Sequence, residues 1–213
     1  MVSYIRPIIP IGYSFNAELF TMLLSLFLFV GISMLIGATL VKVIRSKGEV
    51  ANMPLTVTIT AIVSLLLFAR FGLSVTAIQG VFLMFVLLYA SISDITYHIV
   101  DDYIWVIVFA LALLNIETVG VTSMVVGALC VFIPQIAMAL LPPHKTLGGA
   151  DIKLSTALAF LLGGWKGICA YLLGLIIAVI FMCIYNKVKG NKEKKPFALV
   201  PFLSVGAMIV FII

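Results

Sequence analysis

Long apolar runs separated by short polar interruptions dominate this chain. The candidate runs lie near 18–42, 54–70, 75–94, 102–116, 119–141, 152–165, 167–186 and 197–213. A bilayer core about 30 Å thick needs about 20 apolar residues per helical crossing, and only structures with internally satisfied backbones can span it. The pattern therefore predicts an all-α polytopic transmembrane helix bundle with about eight spans. Because the fourth and sixth runs are short, six to eight full crossings fit the pattern.

The composition supports a membrane protein. Apolar residues make up 64% of the chain and charged residues 10%, whereas soluble domains average about 45–50% and about 25%. No internal repeat and no low-complexity linker separates the runs, so we expect a single integral membrane domain over residues 1–213. The net charge of +5 lies in short juxtamembrane loops, where it sets orientation and contacts anionic lipids rather than nucleic acid.

The basic residues also predict the orientation, since Lys and Arg in short loops are retained on the cytoplasmic side. With an outside N-terminus, the inner loops hold Lys42, Arg45, Lys47, Lys145, Lys153, Lys187, Lys189, Lys192, Lys194 and Lys195, and the outer side holds Arg6, Arg70 and Lys166. The opposite orientation would invert this distribution. We therefore expect an N-terminus outside the cell membrane.

Two aspartates, Asp94 and Asp151, stand among strongly apolar segments. An ionisable side chain near hydrocarbon costs roughly 2.5–3.5 kcal/mol, which points to a functional role. The predicted topology puts both at the cytosolic boundary. Two carboxyl groups that share a site cannot both ionise cheaply, so one acts as base and the other as acid toward a water molecule, as in aspartic proteases. A transporter or channel that binds protons or cations through these acids is the alternative.

The residues around Asp151 are candidates for substrate and loop support. Gly148 and Gly149 permit close approach of an extended substrate strand, or they form a helix-entry turn. Lys153 is an interfacial snorkelling lysine, or it tunes Asp151 or holds a substrate carbonyl. The three cysteines lie inside apolar runs without CxxC spacing, so neither a zinc site nor a disulfide framework is indicated. No metal and no cofactor are expected, because two carboxyl groups and a water suffice for this chemistry.

Other polar residues near these segments have simpler interpretations. Asp101 and Asp102 precede an apolar run, where acids interact favourably with a helix N-terminus. His98 lies close enough in sequence to tune Asp94, although an incidental interfacial histidine is the alternative. Glu117 falls on the predicted outer side, away from both catalytic candidates.

Several segments resemble bacterial type IV prepilin peptidases. Gly148–Leu154 is similar to their GxGD-x-K-L segment, and Ser93–Asp102 is similar to their first catalytic segment. Lys195–Leu203 resembles their C-terminal Pro-Phe-Gly-Pro-Phe segment, and Ile36–Arg45 the end of their first span. The likeness covers nearly the whole chain.

The resemblance implies a GxGD membrane aspartic endopeptidase in which Asp94 and Asp151 are the catalytic pair. Its substrates would be prepilins or pseudopilins of a pilus, secretion or competence system. It would remove their short basic leader after a glycine, on the cytosolic side, without a cofactor. Presenilin-like and signal-peptide-peptidase-like enzymes also use GxGD, but Phe197-Ala198-Leu199 only approximates their C-terminal Pro-Ala-Leu.

The chain departs from the prepilin peptidase pattern at several places. Ala150 replaces the second glycine, which is harmless if its backbone is ordinary and damaging if it requires positive φ. An inactive assembly protein derived from a peptidase is therefore a further alternative. Val100 stands where the first segment often has proline. The connection over residues 43–53 leaves no space for the cysteine-bearing insert linked to N-methylation, so methylation is not expected.

Overall fold

The computed structural model describes residues 11–46, 48, 51–140, 148–189 and 197–213, with the backbone alone for 11–16 and 189. Within these ranges all regular elements are helical, which confirms the all-α prediction. They are α1 (Ile11–Ser46), α2 (Met53–Phe71), α3 (Val75–Tyr97), α4 (Asp102–Ala112), a 3-10 turn (Leu113–Asn115), α5 (Ile116–Val119), α6 (Val121–Leu140), α7 (Gly149–Leu162), α8 (Gly164–Lys189) and α9 (Val200–Ile212).

Six segments of the described chain are long and apolar enough to cross a bilayer, as expected of a multi-pass membrane protein. They are Ala17–Ser46, Met53–Phe71, Val75–Tyr97, Asp102–Val119, Val121–Leu140 and Gly164–Val188. The fourth is longer than the sequence pattern predicted, because the helix continues through the 3-10 turn and α5. The sixth and eighth apolar runs form α7 and α9, which have 14 and 13 residues and extend only about 20 Å.

Neighbouring helices in sequence run antiparallel. The α1–α2 pair is fixed by Phe29 and Phe68, whose ring centroids lie 5.7 Å apart. Along α3 and α4, the Gln79 side chain near the start of α3 donates a hydrogen bond to the carbonyl of Leu111, near the end of α4. Because consecutive helices alternate in direction and the connections are short, the helix termini lie at two opposite ends of the bundle.

One end, which we call the aspartate end, carries Asp94, Asp101 and Asp151. Two contacts place these residues at the same end. Tyr89 of α3 donates a hydrogen bond to Asp101, and Lys153 of α7 pairs with Asp102 of α4. The opposite end carries the C-terminus of α2 and the turn between α7 and α8. There, the Arg70 guanidinium donates to the carbonyl groups of Ile212 and Ile213.

Much of the surface of the two helices that carry the sequence-predicted aspartates is buried inside the bundle. Ten of the 23 residues of α3 and eight of the 14 residues of α7 are buried. Leu83, Ile104 and Leu161 are fully buried where α3, α4 and α7 meet. By contrast, α1 exposes most of its apolar side chains, as expected of a helix that faces lipid. The aspartates therefore stand on the internal framework of the bundle.

Glycines allow α6, α7, α8 and α9 to approach closely. Gly163 has φ +79° and forms the turn between α7 and α8. A β-carbon at Gly167 would lie 2.7 Å from the carbonyl oxygen of Ala159, and one at Gly206 would lie 2.5 Å from that of Ala170. Close backbone contact through small residues is a common basis of helix packing in membranes, where the hydrophobic effect contributes little.

Gly206→Ala is expected to destabilise the bundle by about 1–3 kcal/mol, because the added methyl group overlaps the backbone of α8. Thermal unfolding of the purified protein in detergent measures the change. Gly31→Ala is the matched control: no atom beyond its own stretch of helix backbone lies within 4 Å of the added β-carbon, so this half-buried helix position should lose no stability. An unfolding midpoint for Gly206→Ala equal to that of wild type would contradict the close α8–α9 contact.

Candidate active site

Asp94 lies in the last turn of α3 and is only 6% exposed. This position is unfavourable for an acid on its own helix, because the C-terminus of a helix carries partial negative charge. The Oδ2 atom accepts a hydrogen bond of 2.9 Å from the backbone N–H of Val200, the first residue of α9. The first N–H groups of a helix lack intrahelical partners and carry partial positive charge. The start of α9 therefore compensates the buried carboxylate.

Asp151 lies in the first turn of α7, where free N–H groups favour an acidic side chain. Gly148 precedes this helix as its N-cap residue, with φ −69° and ψ 136°, a conformation open to any residue. A β-carbon at Gly148 would lie 2.9 Å from the Oδ2 atom of Asp151, whereas one at Gly149 would meet nothing within 4 Å. Gly148 therefore provides space for the carboxylate rather than an unusual backbone.

The structure brings Asp94 and Asp151 within electrostatic reach of each other. Asp151 lies outside the six candidate spans, and burial raises its pKa to about 6, with a further contribution from the negative charge of Asp94. A neighbouring carboxylate has this effect because a second negative charge nearby is disfavoured. The two acids thus form one site in which single ionisation is easier than double ionisation.

Ala150, which replaces the second glycine of the GxGD pattern, lies inside α7 and packs against the core. Among the described residues, His98 is the non-glycine residue with positive φ, at 54°. Ala150 therefore has an ordinary backbone, and its methyl group imposes no conformational strain. His98 ends α3, and its own N–H group donates to the carbonyl of Asp94.

Lys153 connects the first turns of α7 and α4. Its Nζ atom lies 2.7 Å from Oδ1 of Asp102 and 5.9 Å from the ring centroid of Trp105. Because both partners of the ion pair are largely exposed, the pair contributes at most about 1 kcal/mol to stability. Its geometric effect is to fix the start of α7, two residues from Asp151, against α4.

Asp101 and Asp102 lie at the start of α4, as predicted. Asp101 is the N-cap residue, but its carboxylate accepts a hydrogen bond of 3.1 Å from the Tyr89 hydroxyl instead of capping the helix. Glu117 lies in α5, at the end opposite the aspartates. Within the described part of the chain, no group of three or more His, Cys, Asp or Glu residues is placed to hold a metal.

Sequence reasoning missed four residues around the site. Gln135 of α6 and Ser155 of α7 are 1% and 2% exposed, and the amide nitrogen of Gln135 donates to the Ser155 hydroxyl at 2.8 Å. The glutamine was detectable, because a polar side chain inside an apolar run requires a buried partner. Tyr171 of α8 lies within electrostatic reach of Asp151. The N–H of Val200 had no sequence signal, because a backbone group leaves none.

Comparison with known proteins places the aspartate end in a family. Residues 81–185 match the family model described as the type IV leader peptidase family. The matched segment extends from α3 into α8 and includes both Asp94 and Asp151. No curated protein and no solved structure matches the chain. Members of this family are leader peptidases, so the match assigns a protease. Through the segment that carries both aspartates, this chain is similar to the type IV leader peptidase family.

Proposed function

We propose that this protease is an aspartic endopeptidase that removes the short basic leader of prepilins or pseudopilins after a glycine. Asp94 and Asp151 are its catalytic residues, and residues 1–213 act as a single integral membrane peptidase domain. The observation that carries the proposal is the meeting of two enclosed, mutually repelling carboxyl groups at one end of the bundle, inside the family-matched segment.

The two environments suit different chemical roles. The hydrogen bond from Val200 stabilises an ionised Asp94, which takes a proton from water as the water attacks the peptide carbonyl. The raised pKa of Asp151 favours its protonated form, which donates a proton to the carbonyl oxygen. As the tetrahedral intermediate collapses, Asp94 gives its proton to the nitrogen and the C–N bond breaks, while Asp151 takes a proton from a hydroxyl of the intermediate, so the new amine leaves and both acids return to their starting forms. These steps require no cofactor.

The distribution of basic residues supports a cytosol-facing aspartate end in the cell membrane. Of the described basic residues, Lys42, Arg45, Lys153, Lys187 and Lys189 lie on this side of the bundle, and Arg70 and Lys166 on the other. Lys47, Lys145, Lys192, Lys194, Lys195 and Arg6 lie outside the described residues. Because basic residues are retained in the cytosol, and α1 ends at the aspartate end, the start of α1 lies on the side of the membrane opposite the cytosol.

The acidic residues favour a basic substrate segment, and the short connection between α1 and α2 argues against a methylating activity. Asp94, Asp101, Asp102 and Asp151 attract a basic leader, although Lys153 and salt reduce the attraction. Helix α1 ends at Ser46 and α2 begins at Met53, which leaves no room for a methylating insert. Ala150 has an ordinary backbone, so its presence no longer favours the alternative of an inactive assembly protein.

Asp94→Asn and Asp151→Asn are each expected to reduce leader cleavage at least about 100-fold, because either change removes the base or the acid. Gel shift and N-terminal sequencing of a co-expressed prepilin measure cleavage at matched membrane expression. Asp101→Asn is the control at the same end, since an asparagine oxygen still accepts from Tyr89, and its cleavage should stay within a few-fold of wild type. Full cleavage by either Asn variant at position 94 or 151 would exclude the dyad.

Ala150→Gly tests whether the departure from the GxGD pattern matters. The variant should cleave prepilin at the wild-type rate, because the backbone at this position needs no glycine. It should also lose about 0.5–1 kcal/mol of stability, because glycine is a poor helix former. Cleavage assays and thermal unfolding of the same preparations measure both effects. A large gain in cleavage would instead mean that the methyl group obstructs the substrate.

Lys153→Gln and Asp102→Asn are each expected to lower kcat/KM by a few-fold, because the start of α7 loses its tie to α4. The kcat/KM of the double variant should equal that of the less active single variant, since both changes remove the same contact. Kinetics of all four proteins with one prepilin form the cycle. Additive losses would mean that Lys153 acts on the substrate independently of Asp102.

A further inference from the structure

A lateral groove with a volume of about 340 Å³ lies between α2, α3 and α9. Its walls are largely apolar and include Leu55 and Ile59 of α2, Leu88 and Ile95 of α3, and Val205 and Ile209 of α9. Leu55 and Ile95 are each 60% exposed and Val205 is 48% exposed. The groove therefore faces the surroundings of the bundle, which for these membrane-embedded helices is the lipid.

The groove leads to the proposed active site. Ile95 follows Asp94 directly in α3, and Pro201 follows Val200, whose N–H binds the Asp94 carboxylate. The hydroxyls of Ser91 and Ser204 lie 3.1 Å apart, which joins α3 and α9 where both line the groove. An object that fills the groove from the lipid therefore reaches Asp94 at one end.

The dimensions suit one helical segment. Along α3 the lining residues extend from Met84 to Ile95, and along α9 from Pro201 to Ile212. Each interval rises about 16 Å at 1.5 Å per residue, which equals roughly half of a bilayer core and three turns of a helix. A helix of about 11 residues thus fits beside α3 and α9, with its end at the aspartates.

Charge complementarity identifies the occupant. The groove is largely apolar along its length, whereas the aspartate end carries four acidic residues, Asp94, Asp101, Asp102 and Asp151, of which Asp102 is paired with Lys153. A chain that suits both regions is basic on one side of the cleaved bond and continuously apolar on the other. Building on the proposed function, we propose that the groove seats the apolar helical stem of the protein substrate while its basic segment crosses the aspartate end.

The expected contribution of the groove is alignment more than affinity. Lipid tails are as apolar as the groove, so a helix that moves from lipid into it gains mainly packing contacts. Alignment matters because a reaction requires the scissile carbonyl, the water and both carboxyl groups at defined positions. Loss of the groove should therefore affect substrates with a stem and spare short peptides that lack one.

Val205→Trp tests the groove by filling it. The measured quantity is the ratio of kcat/KM for a full-length prepilin in liposomes to kcat/KM for a short leader peptide that ends soon after the cleavage site. The ratio should fall at least about tenfold for Val205→Trp. It should not change for the control Val179→Trp, whose side chain on α8 is 61% exposed and lies outside the groove. An unchanged ratio for Val205→Trp would overturn the proposal.

Photo-crosslinking identifies the occupant directly. Benzoylphenylalanine replaces Val205 or, as control, Val179, in the Asp151→Asn background that retains uncleaved substrate. A covalent adduct with the prepilin stem from position 205, absent from position 179, is expected. Adducts with lipid alone, or with a second copy of this chain, would overturn the assignment. If wild type cleaves neither substrate, the proposed function fails; if it cleaves both and Val205→Trp keeps the wild-type ratio, only the groove assignment fails.

Discussion

The hydrogen bond between the N–H of Val200 and the Asp94 carboxylate links the end of α3 to the start of α9. A carboxylate buried at the C-terminal end of its own helix faces partial negative charge, so it requires a donor from elsewhere in the fold. The start of α9 supplies one at 2.9 Å. This contact, between residues 106 positions apart in sequence, brings the C-terminal segment to the aspartate end. It explains why a helix as short as α9 occupies a central position.

The position of Asp151 depends on a second set of contacts, from α6 and α4. Gln135 holds Ser155, one turn beyond Asp151, inside the bundle, and Lys153 holds the outer side of α7 against Asp102. Gly148 leaves space for the carboxylate. The hydrogen bond, the ion pair and the space at Gly148 together fix the position of the first turns of α7. The pKa of Asp151 is raised because the turn is enclosed and directed toward Asp94, so packing and acid strength have the same origin.

Much of this arrangement was predictable from the sequence, because apolar runs and basic loops determine helix number and direction. The placement of Asp94 and Asp151 at one end followed from direction alone. The shortness of the sixth run already indicated that α7 does not span the bilayer alone. The eighth run did not predict the same for α9, since an apolar run has the same appearance whether it faces lipid or protein. Nor could the side-chain pattern predict the space at Gly148 or the donor at Val200, because both depend on tertiary contacts.

A protease embedded in lipid must admit water to its acids and an apolar chain to its flank, and the geometry separates these two requirements. Asp94 and Asp151 lie at helix termini on the side of the bundle that also carries Lys153, whereas the groove between α3 and α9 opens laterally. The Asp94 carboxylate and one end of the groove meet at Val200, where α9 begins. A single helix terminus thus orients the Asp94 carboxylate, which we propose to be catalytic, and borders the path proposed for the substrate stem, so a shift of α9 would alter both together.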